Sequence, residues 1–454
     1  MSQAKFHTKR QDVSQEDVLR EEAKKTVRPR VTLGAMAVRL RGRSRVELVF
    51  GAALGVLSLH LAVLAIEGQN IFGRAANPLI SLAGLVLLPG LFALFLWRGR
   101  IVRTGLSAAL ALFALFVGVG VYGPHIVVAQ ATGSDYMGTL FLGAGVVLLG
   151  LAFWLGLHGH RRLVQALAIP LLLFVTIQWV LAPAFQAGYA TNTPRPADSR
   201  ASTLGIAGAR DVTFPARDGV RLVGWYVPGT NGAAVILLHG SHVSRASTLP
   251  HLRMLAQAGY AVLAYDARGH GQSDGPTNTF GWTEDDDIVG AVTFLGHQPG
   301  VNPARIAALG LSMGAMDALR AAADGIALRA IIADGAGAGT FGDMAILDGQ
   351  GFKAPIALSA DWLGMRAIEL LSGVREPPAL TSIVGKIRVP VLLIASNNPG
   401  ELTNDQVYRE RIGANATLWY VPDAGHVAAL QTHPHDYTAR VTAFLKAALS
   451  HTKE

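Results

Sequence analysis

Five long apolar stretches occupy most of the chain between residues 46 and 185: Val46 to Ile66, Ala76 to Trp97, Gly105 to Gly123, Met137 to Leu157, and Leu163 to Phe185. The first is 21 residues long. As a helix it rises about 31 Å, which matches a hydrocarbon core of roughly 30 Å. Backbone groups cannot stay unpaired in lipid, so runs of this kind must be helices. Pro89 and Pro170 fall inside two of them, where a membrane helix tolerates a kink. An integral-membrane region is expected rather than a cleaved signal peptide, because the first run begins at residue 46 and four more follow it.

Charge is distributed to match. Hydrophobic residues make up 51% and charged residues 15% of the chain, against roughly 25% charged in soluble proteins. Residues 1–188 carry 18 Lys and Arg against 8 Asp and Glu, whereas residues 189–454 carry 21 against 23. The basic excess therefore belongs to the first half, where it flanks apolar runs. That pattern fits membrane topology and anionic lipid and excludes a nucleic-acid groove. Arg39, Arg41, Arg43 and Arg45 precede the first run, Arg98, Arg100 and Arg103 follow the second, and Arg161 and Arg162 follow the fourth. By the positive-inside rule these three segments face the cytoplasm. The connections holding Glu67 with Arg74, and Asp135, then face outward. Five crossings place the C-terminal half outside the cytoplasm of a bacterial cell. The expected organisation is a basic cytoplasmic tail over 1–45, an all-α transmembrane region over 46–186, a linker over 187–209 and a globular domain over 210–454. His60 and Gln178 are expected to make helix–helix hydrogen bonds, and Gly51 and Gly55 to mark a packing face. His158 and His160, spaced by two with no carboxylate partner, make a poor metal site.

Thr191 to Gly208 is rich in Pro, Ser, Thr and Ala and reads as a tether. Beyond it, short β-type runs alternate with helical ones: Val220 to Val227, Ala233 to Leu238, Ala261 to Tyr265, Ile306 to Leu309, Ala330 to Ala333, Val389 to Ile394 and Thr417 to Val421 are the expected strands. Such alternation predicts an α/β domain with a mostly parallel sheet covered on both faces. With Cys 0, a disulfide scaffold, a thiolate zinc site and a cysteine nucleophile are all excluded.

The chemistry gathers at strand ends. Gly310-Leu311-Ser312-Met313-Gly314 sets a serine in G-x-S-x-G between a strand and a helix, where the turn is too tight for a side chain at either glycine. Leu237-Leu238-His239-Gly240-Ser241 ends an early strand, and Val421-Pro422-Asp423-Ala424-Gly425-His426 ends the last one. The backbone amides of Ser241 and Met313 are candidates to hold a tetrahedral oxyanion. His426 supplies an imidazole in the chain order Ser, acid, His.

Together with RDGVRLVGWYVPG, GYAVLAYDARGHGQSDG and PVLLIAS, these words make residues 210 to 450 resemble the α/β-hydrolase family, in particular its bacterial branch of monoglyceride-lipase-like and serine-aminopeptidase-like hydrolases. The resemblance implies Ser312 as nucleophile, His426 as general base and then acid, and the amides of Ser241 and Met313 as oxyanion donors. It implies an acid after the strand Val389 to Ile394. Glu401 fits best by its spacing to the following helix, with Asp405 and Asp334 as the alternatives. The expected activity is cleavage of an ester-type, acyl or lipid-like small molecule through an acyl-enzyme, with no metal or organic cofactor. A peptidase or amidase on the same fold, and a non-catalytic membrane sensor, are the rival readings. The sequence leaves the oligomeric state open.

His239, Asp266, Arg268 and His270 read as loop scaffold, and His242 as either pocket rim or surface. Glu284 to Asp287 open a helix, where carboxylates complement the macrodipole. Residues 336 to 386 separate two strands by more than a usual connection. They carry Phe341, Met344, Trp362, Leu370 and Leu371, which predicts either a small cap lining an acyl pocket or an apolar cover on the sheet.

Overall fold

The computed structural model describes residues 44–66, 79–124, 133–160, 162–193, 195–196, 198–275, 278–347 and 354–450. The tail, the connection holding Glu67 and Arg74, and Arg161 lie outside them. The helical half comprises α1 (Arg45–Ile66), α2 (Leu79–Trp97), α3 (Arg100–Val117), α4 (Gly133–Leu157) and α5 (Arg162–Thr176). α3 runs on through a π-helical turn, Gly118–Tyr122. α5 does the same through Ile177–Leu181 and leads into α6 (Ala182–Thr191). Among the described residues, four helical runs are long and apolar enough to cross a membrane, against the five expected: Arg45–Ile66, Arg100–Tyr122, Gly138–Leu157 and Val164–Thr191. Ala83–Trp97 is a shorter apolar helix.

α4 packs against both α1 and α3, and small residues let the backbones approach. A Cβ at Gly145 of α4 would lie 2.8 Å from Leu115 Cγ of α3. Gly51 abuts the Phe92 ring, and among the described residues no atom lies within 4 Å of a Cβ placed at Gly55. His60 makes the expected helix–helix bond, its Nε2 lying 2.7 Å from the Tyr122 hydroxyl. At the opposite end Arg103 reaches Glu47 at 3.3 Å, and Arg100 donates to the carbonyl of His158 at 2.5 Å.

The second half folds around one eight-stranded sheet of order β1-β2-β4-β3-β5-β6-β7-β8. Its strands are β1 (Arg210–Pro215), β2 (Arg221–Val227), β3 (Ala234–Leu238), β4 (Ala261–Tyr265), β5 (Ile306–Leu311), β6 (Ala330–Asp334), β7 (Val391–Ser396) and β8 (Ala416–Val421). β1 and β2 join antiparallel, and the pairs from β4 through β8 are parallel. β3 to β7 are buried along their whole length, as continuous Val, Ile, Leu and Ala runs require of strands covered on both faces. β1 is the one strand the sequence reading lacked. It lies at the sheet edge with mostly exposed residues, so it carries no continuous apolar run.

The sheet is flanked by α7 (Leu249–Gln257), α8 (Asp285–Gly296), α9 (Met313–Ala323), α12 (Glu401–Ile412) and α13 (Pro434–Ser450). Between β6 and β7 lie α10 (Phe341–Leu347) and α11 (Ala354–Ser372). α11 does not cover the sheet. It packs against α6, sharing Met365, Ile368 and Leu371 with Ala187 and Ala190 in one apolar cluster. The segment read as a tether lies along the domain: Thr193 Oγ1 donates to Gly269 O at 2.7 Å, and Trp225 Nε1 donates to Ser199 O at 3.1 Å.

Candidate active site

Because β3 is flanked by β4 on one side and β5 on the other, the connections leave the sheet in opposite directions beside it. The crevice that results at the carboxyl ends of the strands is where open α/β sheets bind ligands. Residues from the ends of β3, β5, β6, β7 and β8 meet there.

Ser312 follows β5 and is the residue before α9, with φ 55° and ψ −113°. A non-glycine residue takes such a conformation only when its surroundings impose it. The surroundings are two glycines. A Cβ at Gly310 would meet Gly314 O at 2.0 Å, and one at Gly314 would meet Leu238 O at 2.5 Å. The amide of Ser312 is anchored to Asp334 O at 2.8 Å. The turn thus lifts the serine hydroxyl off the sheet, and His426 Nε2 lies 2.8 Å from its Oγ. Gly335, at φ 73°, leaves room for the imidazole, since a Cβ there would lie 3.0 Å from His426 Cε1.

On its other side His426 Nδ1 meets Glu401 Oε2 at 3.0 Å. Glu401 is buried and opens α12. Its Oε1 accepts from Ser396 N at 2.8 Å and from Ser396 Oγ at 2.9 Å. Burial pushes the Glu401 carboxyl up, but the bonds from His426 and Ser396 outweigh it and hold the group below its ordinary value. The hydrogen bond to Glu401 raises His426, against its partial burial. Of the three acids considered, then, Glu401 is the one bonded to the imidazole. Asp334 instead accepts from Tyr437 Oη at 2.8 Å, and burial pushes it up to about 7. Asp405 is fully buried behind Glu401, and burial together with the Glu401 and Asp334 charges drives it well above the carboxylate range.

Gly240 backs directly onto the serine, a Cβ there lying 3.3 Å from Ser312 Cβ. Ser241 comes next, and Met313, buried, is the first residue of α9, whose amide has no carbonyl one turn earlier in the helix to bond. His239 accepts from Ala267 N at 3.0 Å through Nε2, so its proton sits on Nδ1 and is donated to Gly240 O at 2.7 Å. Burial holds this histidine below its ordinary value. It is scaffold, as expected.

So are the loop residues around it. Asp266 pairs with Arg245 and accepts from the amides of Arg245 and Gln272 at 2.8 and 2.9 Å. Arg268 pairs with Asp287 at 2.7 Å and Asp218 at 2.9 Å. That accounts for one member of the acidic run at α8. Glu284 is held by the Thr279 hydroxyl at 2.9 Å. Among the described residues no group of three His, Asp or Glu side chains could hold a metal ion.

A pocket of about 340 Å³ opens beside His426, lined by Gly335, Ala338, Met344, Asp361, Asn398 and Glu401 among others. Met344 of α10 and Asp361 of α11 show that the insertion between β6 and β7 forms one wall. A second, apolar cleft of about 460 Å³ lies between Phe341, Leu358, Trp362 and Leu363 of that insertion and Trp179 of the π-helical turn.

The strand order and the bent serine between β5 and α9 define the second half as an α/β-hydrolase fold. Residues 235–441 match the model of the alpha/beta hydrolase family. Similar curated proteins include the uncharacterized protein YfhR of Salmonella typhimurium, 30% identical over 199 residues that make up 39% of this chain and 64% of the relative. The polyketide transferase af380 of Aspergillus fumigatus is 39% identical over 116 residues, 25% of this chain and 40% of that protein. The chain thus spans less than two thirds of the length of these relatives. Among solved structures, the Pyrococcus furiosus esterase Pf2001 is similar at 28% identity and a TM-score of 0.48, covering 57% of this chain and 98% of the esterase.

Proposed function

We propose that this protein is a membrane-anchored serine hydrolase that cleaves an ester-type, acyl or lipid-like small molecule. The observation that carries the proposal is the unbroken relay from Ser312 Oγ to His426 Nε2 at 2.8 Å and from His426 Nδ1 to Glu401 at 3.0 Å. It is built on a serine whose backbone is held at φ 55°.

With Glu401 ionised, the Nδ1 proton of His426 is donated to its carboxylate, which leaves Nε2 with a lone pair facing Ser312. Nε2 takes the hydroxyl proton as Oγ attacks the substrate carbonyl. The amides of Ser241 and Met313 hold the oxyanion as it forms. The tetrahedral intermediate collapses, Nε2–H gives its proton to the departing alcohol, and an acyl-Ser312 ester remains. Water, deprotonated by the same nitrogen, attacks that ester, and the acid leaves as Oγ recovers its proton. The Glu401 carboxylate orients the imidazole and stabilises its charged form throughout, without itself taking the proton. Every proton in this cycle is accounted for by His426.

The arginines at Arg45, Arg98, Arg100, Arg103 and Arg162 lie at one set of helix ends, and the Arg103–Glu47 and Arg100–His158 contacts bind those ends to each other. This supports a cytoplasmic face there and a hydrolase domain on the opposite side of the cell membrane. The test uses intact cells and a membrane-impermeant fluorophosphonate. Labelling of the wild type that vanishes in Ser312→Ala, accompanied by turnover of short-chain p-nitrophenyl esters, is the expected result. An unlabelled, ester-inactive protein that folds and binds small molecules would point to the sensor reading, and labelling only after lysis would reverse the topology.

A further inference from the structure

Three of the last four carbonyls of α6 are taken up by residues of the hydrolase fold. The last four carbonyls of a helix have no partner within it. Gly188 O is closed locally, accepting from Asn192 N at 3.1 Å. Tyr189 O faces His242 Nε2 at 2.5 Å. Ala190 O accepts from Asn278 Nδ2 at 2.7 Å, and Thr191 O from Asn278 N at 3.0 Å.

These contacts fix the chemistry of the next bond in the chain. A carbonyl can only accept, so His242 carries its proton on Nε2 and presents a bare Nδ1. Ser241 Oγ lies 2.8 Å from that Nδ1 and must donate to it. The same Oγ then accepts from Asn278 Nδ2 at 3.0 Å. His242 holds φ 62°, a conformation a histidine seldom takes, and its ring stacks on Tyr189 with centroids 4.1 Å apart. Burial keeps its imidazole below the ordinary value and so neutral, as the donor–acceptor pattern requires. Ser241 is therefore pinned from both sides by His242 Nδ1 and Asn278 Nδ2, and each of these side chains also bonds a carbonyl of α6.

We infer that His242 and Asn278 are positioning residues that transmit the end of the last membrane helix to the oxyanion loop, holding the Ser241 amide in its working direction. The inference rests on the reading of Ser312 as nucleophile and of the Ser241 amide as an oxyanion donor. It gives the helical half a part in catalysis beyond anchorage, because the loop that bears the amide is braced on α6. Neither residue lines the pocket beside His426. The loss therefore falls on the transition state rather than on substrate binding.

The experiment uses full-length protein in detergent, with p-nitrophenyl butyrate turnover, fluorophosphonate labelling rates and thermal melting. His242→Phe keeps a ring to stack on Tyr189 and removes both hydrogen bonds. The expected result is a kcat lower by about 10- to 100-fold, as for a misplacement of the order of an ångström, with KM within about twofold and a folded protein whose melting temperature falls by a few degrees, since Tyr189 O loses its donor. His242→Asn accepts the positive φ and keeps an acceptor beside Ser241 but cannot reach the Tyr189 carbonyl. It is expected to lose kcat in the same direction by less, and it carries the test if the Phe variant does not fold. Wild-type kcat and labelling rate in either folded variant overturn the inference while leaving the serine mechanism standing. Turnover or labelling that persists in Ser312→Ala removes the mechanism itself, and this inference with it.

Discussion

Replacement of Glu401 by glutamine changes one atom and reverses the direction of a hydrogen bond. Ser396 N–H can only donate, and it points at Oε1 from 2.8 Å. In Glu401→Gln the side-chain carbonyl oxygen must therefore remain at that position. The opposite placement would face two buried donors at each other at a cost of about 1–3 kcal/mol. The amide NH2 then occupies the Oε2 position, 3.0 Å from His426 Nδ1, and donates to it. The imidazole responds by carrying its proton on Nε2, so that Ser312 faces an N–H where it needs a lone pair. The expected loss in kcat is on the order of 10³- to 10⁴-fold, as for the equivalent wrong tautomer in serine proteases. That corresponds to about 4–5.5 kcal/mol of transition-state stabilisation. A second readout follows from the same bond. Glu401 is the principal cause of the raised His426 pKa, and a general base works only when neutral. In the wild type the acid limb of kcat/KM accordingly lies above the ordinary imidazole value of about 6.5. In the variant it moves to lower pH. Ester turnover from pH 5 to 9 with a folded Glu401→Gln protein measures both. A kcat within tenfold of wild type, or an acid limb that stays in place, would refute the assignment of this carboxylate as the orienting acid and return Asp334 to consideration.

Gly314→Ala brings a Cβ to 2.5 Å from Leu238 O, backbone that cannot yield, so a destabilisation of about 2–3 kcal/mol is expected, read as a melting temperature lower by roughly 5–10 °C. Arg268→Met leaves Asp287, fully buried, without its cation and should cost about 3–5 kcal/mol, measured by thermal or denaturant unfolding; a loss below about 1 kcal/mol would show that water reaches Asp287. Asp334 is raised from its ordinary value to about 7, so the fold favours its protonated form; the stability this contributes is complete below about pH 4 and is lost as pH rises to 7. Asp334→Asn keeps an acceptor for Tyr437 and does not titrate, so its melting temperature should gain on the wild type between pH 4 and 8, by an amount equivalent to a few kcal/mol. A constant difference across that range would show that Asp334 does not titrate there.

The strands β3 to β7 were legible because each is a run of apolar residues closed by a motif, and burial on both faces writes itself into composition. β1 was not, because an edge strand with one buried Phe214 among exposed neighbours leaves only a partial alternation. Ser312 and His426 were legible as candidates because each follows a strand in a short glycine-bearing word, and the structure brings the two within 2.8 Å. The choice among Glu401, Asp334 and Asp405 could not be settled in the sequence. All three end or follow buried strands, and what separates them is where Ser396 and Tyr437 direct their donors, which is a matter of three-dimensional packing. His242 was legible only as pocket rim or surface, not as a contact of α6. A lone histidine after a His-Gly-Ser word carries no mark of the helix it will touch, 53 residues earlier in the chain. A positive φ and a stacked tyrosine are visible only once the chain is folded.

The three carboxyls behind His426 also constrain one another. Glu401 is the one with a line of donors aimed at it: two from Ser396 and one from His426. Asp334 has the Tyr437 hydroxyl, and among the described residues neither oxygen of Asp405 has a hydrogen-bond partner. Like charges this close in a low-dielectric interior cannot all ionise, so the negative charge settles where the donors are. Asp405 is then held protonated and Asp334 is pushed up to about 7, each by burial and by the charge on Glu401. This arrangement concentrates a single carboxylate against Nδ1 of His426, which is what a base needs in order to keep its lone pair toward Ser312. A glutamate does this from α12 because its longer side chain spans from the helix start to the imidazole, while Ser396, the last residue of β7, fixes its far end. The serine at 396 is thus as much a part of the acid's geometry as the carboxylate. Ser396→Ala would leave the Ser396 amide in place but remove a hydroxyl donor from both Glu401 oxygens, raising the Glu401 pKa and lowering that of His426. The acid limb of kcat/KM should shift to lower pH, in the same direction as in Glu401→Gln, with a loss in kcat of about tenfold or less because the imidazole tautomer is preserved.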